Sequence, residues 1–224
     1  MVEKIAFTFL GLELLEPMAL IFNWIIAGFC FFAFIKLNKY SCEANKYWRL
    51  FYLTFGFSTF FGGLGHLFFN YFGFYGKYPS WILGSVSNCF VGMGMLYFKN
   101  ISKPKNFSFY LIWLKSGALC LLAVITQKFI FVAVDAILTY VFYTGVYAYL
   151  LKKRDKNTSF LNYMLFAVFI LLPSAFIFIY KINLSVWFNK DDFSHLLILA
   201  AIIFFYQGMK TWGNSQIALS DVEK

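Results

Sequence analysis

FSFYLIWLKSGALCLLAVITQKFIFVAVDAILTYVFYTGVYAYL (107–150) is the passage on which the fold turns. As one helix it would run about 66 Å, twice the roughly 30 Å hydrocarbon core of a bilayer. Only Gln127 and Lys128 interrupt the apolar run, so a tight helical hairpin joining two spans fits better. Working outward from that hairpin, apolar stretches bounded by charge fall at 14–36, 47–72, 80–98, 107–126, 129–150, 160–180 and 192–209. Each is close to the 20 or so residues that a membrane crossing takes. The sequence therefore predicts an all-α polytopic membrane protein, a seven-transmembrane helix bundle forming one domain over 1–224.

Composition agrees. The chain is 61% hydrophobic and 24% aromatic, with 32 Phe and only 13% charged residues. A soluble domain carries about 25% charge, because its surface must be covered. Lys and Arg accumulate on cytoplasmic loops. Here thirteen of the 19 fall on one side and five on the other, with Lys115 inside the fourth stretch and expected to snorkel to the inner interface. This sets the N-terminus outside and the C-terminus in the cytoplasm. The net charge of +9 is thus mostly a topology signal, and its division among short separate loops argues against nucleic acid as a partner. The short loops suit a bacterial inner membrane. Four scattered cysteines have neither disulfide nor metal spacing.

Charged and amide side chains within spans are costly, so their positions carry the functional signal. His66 lies about 28 Å along the second stretch from Tyr47, near its outer end, and Asn70 one turn further. Glu13 and Glu16 open the first stretch, with Asn23 about 10 Å deeper. Asn88 lies in the outer half of the third stretch, Asp135 about 9 Å from the outer end of the fifth, and Asp191, Asp192 and His195 open the seventh. Glu13, Glu16 and Asn23 share a helical face, and Ser58, Gly62, His66 and Asn70 form a ladder of fours. Asp191 precedes His195 by four residues and Asp192 by three, a spacing that lets a carboxylate and an imidazole converge on one ion.

These residues resemble the seven-helix hydrolase superfamily of alkaline ceramidases, adiponectin-receptor-like proteins and related lipid-remodelling proteins. The resemblance rests on GFSTFFGGLGHLFFN (56–70), NKDDFSHLLILAAIIFFYQG (189–208) and the EP-x5-N of Glu16, Pro17 and Asn23. It implies a zinc ion held by His66, Asp191 and His195, with Asp191 standing in place of the first histidine of an H-x3-H turn. Gly62 occupies the position of the superfamily's serine. The implied activity is a zinc-dependent hydrolase acting on a lipid amide or ester near the outer leaflet, with zinc polarising the carbonyl and activating water. Asp192, Glu16 and Asp135 are the candidate general bases, and Glu13, Asn23, Ser58, Asn70 and Asn88 the polar lining. The alternative is a non-catalytic seven-helix protein that binds lipid or a small ligand, as a sensor or assembly factor. In both readings membrane lipid is the environment and the candidate ligand.

Overall fold

The computed structural model describes residues 5–98, 106–154, 158–180, 182–185 and 187–222. Of the residues used above for topology, Lys4, Lys99, Lys103, Lys105, Lys156, Lys181 and Lys224 lie outside these. The fold is all-α apart from one small hairpin. Strands β1 (Ala6–Phe9) and β2 (Leu12–Leu15) pair antiparallel through a turn at Leu10 and Gly11, both at positive φ, the geometry that two-residue hairpins favour. Seven long helices follow: α1 (Pro17–Lys36), α2 (Glu43–Leu67), α3 (Tyr78–Leu96), α4 (Asn106–Thr126), α5 (Ile130–Arg154), α6 (Ser159–Tyr180) and α7 (Lys190–Val222).

Five of the seven are long and apolar enough to cross a membrane: Pro17–Lys39, Phe107–Thr126, Ile130–Arg154, Ser159–Ile177 and Lys190–Ala218. The other two, α2 and α3, carry Gly, Ser, Thr and Asn on buried faces. A helix enclosed by other helices need not be apolar all round. The hairpin expected at Gln127 and Lys128 is present: α4 ends at Thr126, Gln127 turns left-handed at φ 56°, and α5 starts at Ile130.

Several boundaries differ from the expected ones, each for a local reason. The first helix starts at Pro17 rather than residue 14, because proline presets the first helical turn and the residues before it pair as a strand. Glu13 is thus an exposed strand residue and shares no helical face with Glu16 and Asn23. α2 ends at Leu67, short of the expected residue 72, and the chain restarts in a single turn at Phe69–Phe72. Asn70 therefore leaves the ladder of fours and is exposed. The last helix runs past residue 209 to Val222, because Tyr40 closes over Gly213 and its hydroxyl donates to Asn214 Oδ1 at 2.7 Å.

Neighbouring helices pack α1 on α2, α2 on α3, α3 on α5, α5 on α6, α6 on α7 and α7 on α1. These six close a ring. α4 stands outside it against α3 and α5, with only 17% of its apolar stretch buried against 39% in α6 and α7. The ring is solid at one end. Trp48, Phe51, Tyr52, Met95, Met164, Phe205 and Met209 fill it with less than 2% exposure each, and Gly94 supplies the gap into which the Trp48 ring fits. At the other end the same helices stand apart around a cavity.

Candidate functional site

The cavity measures about 510 Å³ and is lined by α1, α2, α3, α5, α6 and α7, with no residue from α4. Its deep wall is Phe55, Tyr140, Ile202 and Phe205, where it meets the close-packed core. Its other end is ionisable, bounded by His66, Lys77, Lys190, Asp191 and His195. Helical spacing explains how α2 presents Ser58, Gly62 and His66 to it together. The absence of a side chain at Gly62 matters here, since a Cβ would lie 3.0 Å from Ser80 Oγ and 3.3 Å from Asn23 Oδ1.

His66 is oriented by Glu16. Its Nδ1 donates to Glu16 Oε2 at 2.8 Å, which fixes the tautomer and leaves Nε2 as the nitrogen available to the cavity. Glu16 is held for this purpose at the junction of hairpin and helix. It adopts a left-handed φ of 50°, unfavourable for a residue with a Cβ, while its amide donates to the Ile5 carbonyl at 2.9 Å. On its other side Glu16 borders a cleft of about 10 Å³ shared with Asn189 and Asp192, room for a single water.

The start of α7 resolves the roles of its two aspartates. Asn189 Oδ1 accepts from the amides of Asp191 (2.8 Å) and Asp192 (3.3 Å), and Asp192 Oδ2 accepts from the Asn189 amide at 3.0 Å. This is a reciprocal cap that satisfies the free amides of the first turn. Asp192, 1% exposed, thus closes the helix start and faces the small cleft, not the large cavity. Its Oδ1 is buried without a hydrogen-bond partner. Asp191 borders the large cavity and is ion-paired with the Lys190 ammonium at 2.5 Å. His195, one turn on, also lines the cavity, with its Nδ1 buried.

The residues proposed for zinc are thus gathered only in part. His66, Asp191 and His195 border one cavity, yet among the described residues no three His, Cys, Asp or Glu side chains are grouped closely enough to hold an ion. Asp191 is engaged with Lys190, while the Glu16 carboxylate on His66 Nδ1 leaves Nε2 towards the cavity.

Asp135 stands apart from this end. It is fully buried on α5, accepting from Lys115 Nζ at 2.5 Å, Ser116 Oγ at 2.8 Å and Asn88 Nδ2 at 2.8 Å. Lys115 therefore reaches inward to a carboxylate instead of snorkelling to the inner interface, because an apolar medium makes pairing the better outcome. The Asp135 carbonyl is likewise taken by side chains, the Thr139 hydroxyl at 2.8 Å and Lys115 at 3.2 Å. From Thr139 to Val146 the helix then widens to the i→i+5 pattern, as helices do where side chains enter the backbone ladder. Asp135 borders neither cavity, but Asn88, hydrogen-bonded to it, lines the large one. Sequence reasoning passed over Lys77, Ser80 and Lys190 as wall residues. Pro79, setting the first turn of α3, was the available signal for Ser80.

No curated protein and no solved structure matches the chain. A family model, described as "Family of unknown function (DUF6962)", matches residues 18–214, which reach into all seven of the long helices described. The chain belongs to this family.

Proposed function

We propose that this protein is a seven-span membrane protein that takes one amphiphile from the bilayer into its interior, polar group at the His66 and His195 end and hydrocarbon towards Phe55 and Phe205. The observation that carries the proposal is the cavity itself, about 510 Å³ with an apolar depth and an ionisable end. That volume is typical of small-ligand sites, which combine apolar walls with a few placed polar groups. Five helices are apolar enough to cross alone, and α2 and α3, long members of the same ring, are on this reading the other two crossings. The Lys and Arg bias puts the N-terminus outside and the C-terminus in the cytoplasm, which turns the ionisable end towards the outer leaflet. The short loops suit a bacterial inner membrane.

The second reading is a hydrolase acting on the lipid's amide or ester. It is favoured by one observation, the Glu16 carboxylate on Nδ1 of a cavity histidine, the arrangement that orients catalytic and metal-bound imidazoles. A zinc-dependent form of it requires Asp191 to leave Lys190.

Native mass spectrometry of the detergent-purified protein tests the first reading, the expected result being one bound amphiphile per chain. Ile198→Trp, which fills the cavity from α7, is expected to lower occupancy at least tenfold. Undiminished occupancy in that variant would place the lipid elsewhere and sink the proposal. Metal analysis of the same preparations separates the readings: stoichiometric zinc lost in both His66→Ala and His195→Ala would favour the hydrolase.

A further inference from the structure

We infer that the cavity holds a second polar station, Oδ1 of Asn88, which selects amphiphiles carrying a hydrogen-bond donor partway along the chain. The inference rests on the amphiphile-binding reading above. Asn88 is 4% exposed and lines the cavity. Its Nδ2 donates to Asp135 Oδ2 at 2.8 Å, and its Oδ1 accepts no hydrogen bond from the described chain. The amide cannot turn over. Flipping it would set the carbonyl oxygen against a carboxylate already held by Lys115 and Ser116. The network behind Asn88 therefore fixes which atom the cavity meets: an acceptor with unused capacity in an apolar medium, where an unmatched polar atom is costly. Helix-to-helix glue accounts for the Nδ2 bond but leaves the carbonyl at the wall unexplained.

The depth of this station is set by the helices. Ser58 Oγ lies 3.2 Å from where a Cβ on Gly84 would be, so those two residues are level. His66 is eight residues from Ser58 towards the ionisable end, and Asn88 four residues from Gly84 in the other direction. At 1.5 Å per residue the two stations stand about 18 Å apart. An extended ligand whose polar group rests near His66 therefore brings the far part of its chain, level with Phe55 at the deep wall, to Asn88.

The probes are stearate and a hydroxystearate with its hydroxyl in the last third of the chain, titrated separately into the purified protein. Wild type is expected to bind the hydroxylated probe about tenfold more tightly, the worth of one hydrogen bond made in a dry site. In Asn88→Leu the ratio of the two affinities is expected to fall to about one, an outcome that a purely structural Asn88 would not give. Asn88→Ser, which keeps a small polar side chain but offers no carbonyl, should lose the preference too and keeps the test open if the leucine variant does not fold. Equal binding of both probes by wild type, or a preference that persists in the variants, overturns this inference and leaves the cavity reading standing. Binding of neither probe overturns the inference together with that reading.

Discussion

Lys115→Met is expected to lower stability by about 3–5 kcal/mol, because it strands a carboxylate that has no exposure to solvent. Asp135 would keep Ser116 and Asn88 as donors but lose the only cation that bonds to it among the described residues. The double variant Lys115→Met with Asp135→Leu should recover most of the loss, since replacing both partners of a buried pair with apolar groups is often close to neutral. Reversible unfolding in mixed micelles measures both. A single variant as stable as wild type would show that Lys115 spends its time at the membrane interface and that the pair contributes nothing. The double variant also reports on α5: with neither Lys115 nor Asp135 in place, the widened turn from Thr139 to Val146 loses part of what holds it open.

Gly65→Ala carries the second large effect. A Cβ at this position would lie 2.6 Å from the Gly76 carbonyl oxygen and 3.0 Å from its carbon, and neither is the end of a flexible side chain that can swing aside. α2 and the turn Tyr75–Lys77 must then move apart, carrying Lys77 away from the cavity edge. Overpacking of this kind costs about 1–3 kcal/mol, and the displaced edge is expected to weaken amphiphile binding about tenfold. Gly73→Ala is the control. It has open space around it and sits at φ 53°, ψ −136°, so its cost is conformational strain of about 1–3 kcal/mol with no clash against Gly76. Matched losses of binding in the two variants would mean that the close approach of Gly65 to Gly76 is irrelevant to the site.

The all-α character and the hairpin at Gln127 were legible in the sequence because each follows from long apolar runs and their breaks. Ser58 and His66 were legible as cavity-facing partners for the same periodic reason. The N-terminal strands were not. AFTF and LELL are each only four residues long, and their pairing depends on two consecutive positive-φ residues, one of them Leu10, which propensity does not announce. Asn70 was misplaced because the three-four spacing was continued past the true end of α2 at Leu67. The Lys115–Asp135 pair was hidden by distance in the chain: the two residues lie 20 apart on different helices, and only packing shows that they meet. Asp192 reads in sequence as a candidate base, although the spacing of Asn189 to Asp192 already carries the helix cap.

The bundle is solid around Trp48 and Phe205 and hollow around His66 and His195, and this makes it mechanically lopsided. Compression acts on void and not on matter already at crystal density, so hydrostatic pressure works on the hollow end while the solid end serves as a fixed clamp. Local opening follows the same gradient, because a segment with fewer buried contacts opens at lower free energy. The six helices of the ring are thereby held firmly at one end, and the end with least packing to hold it is the one that carries both histidines.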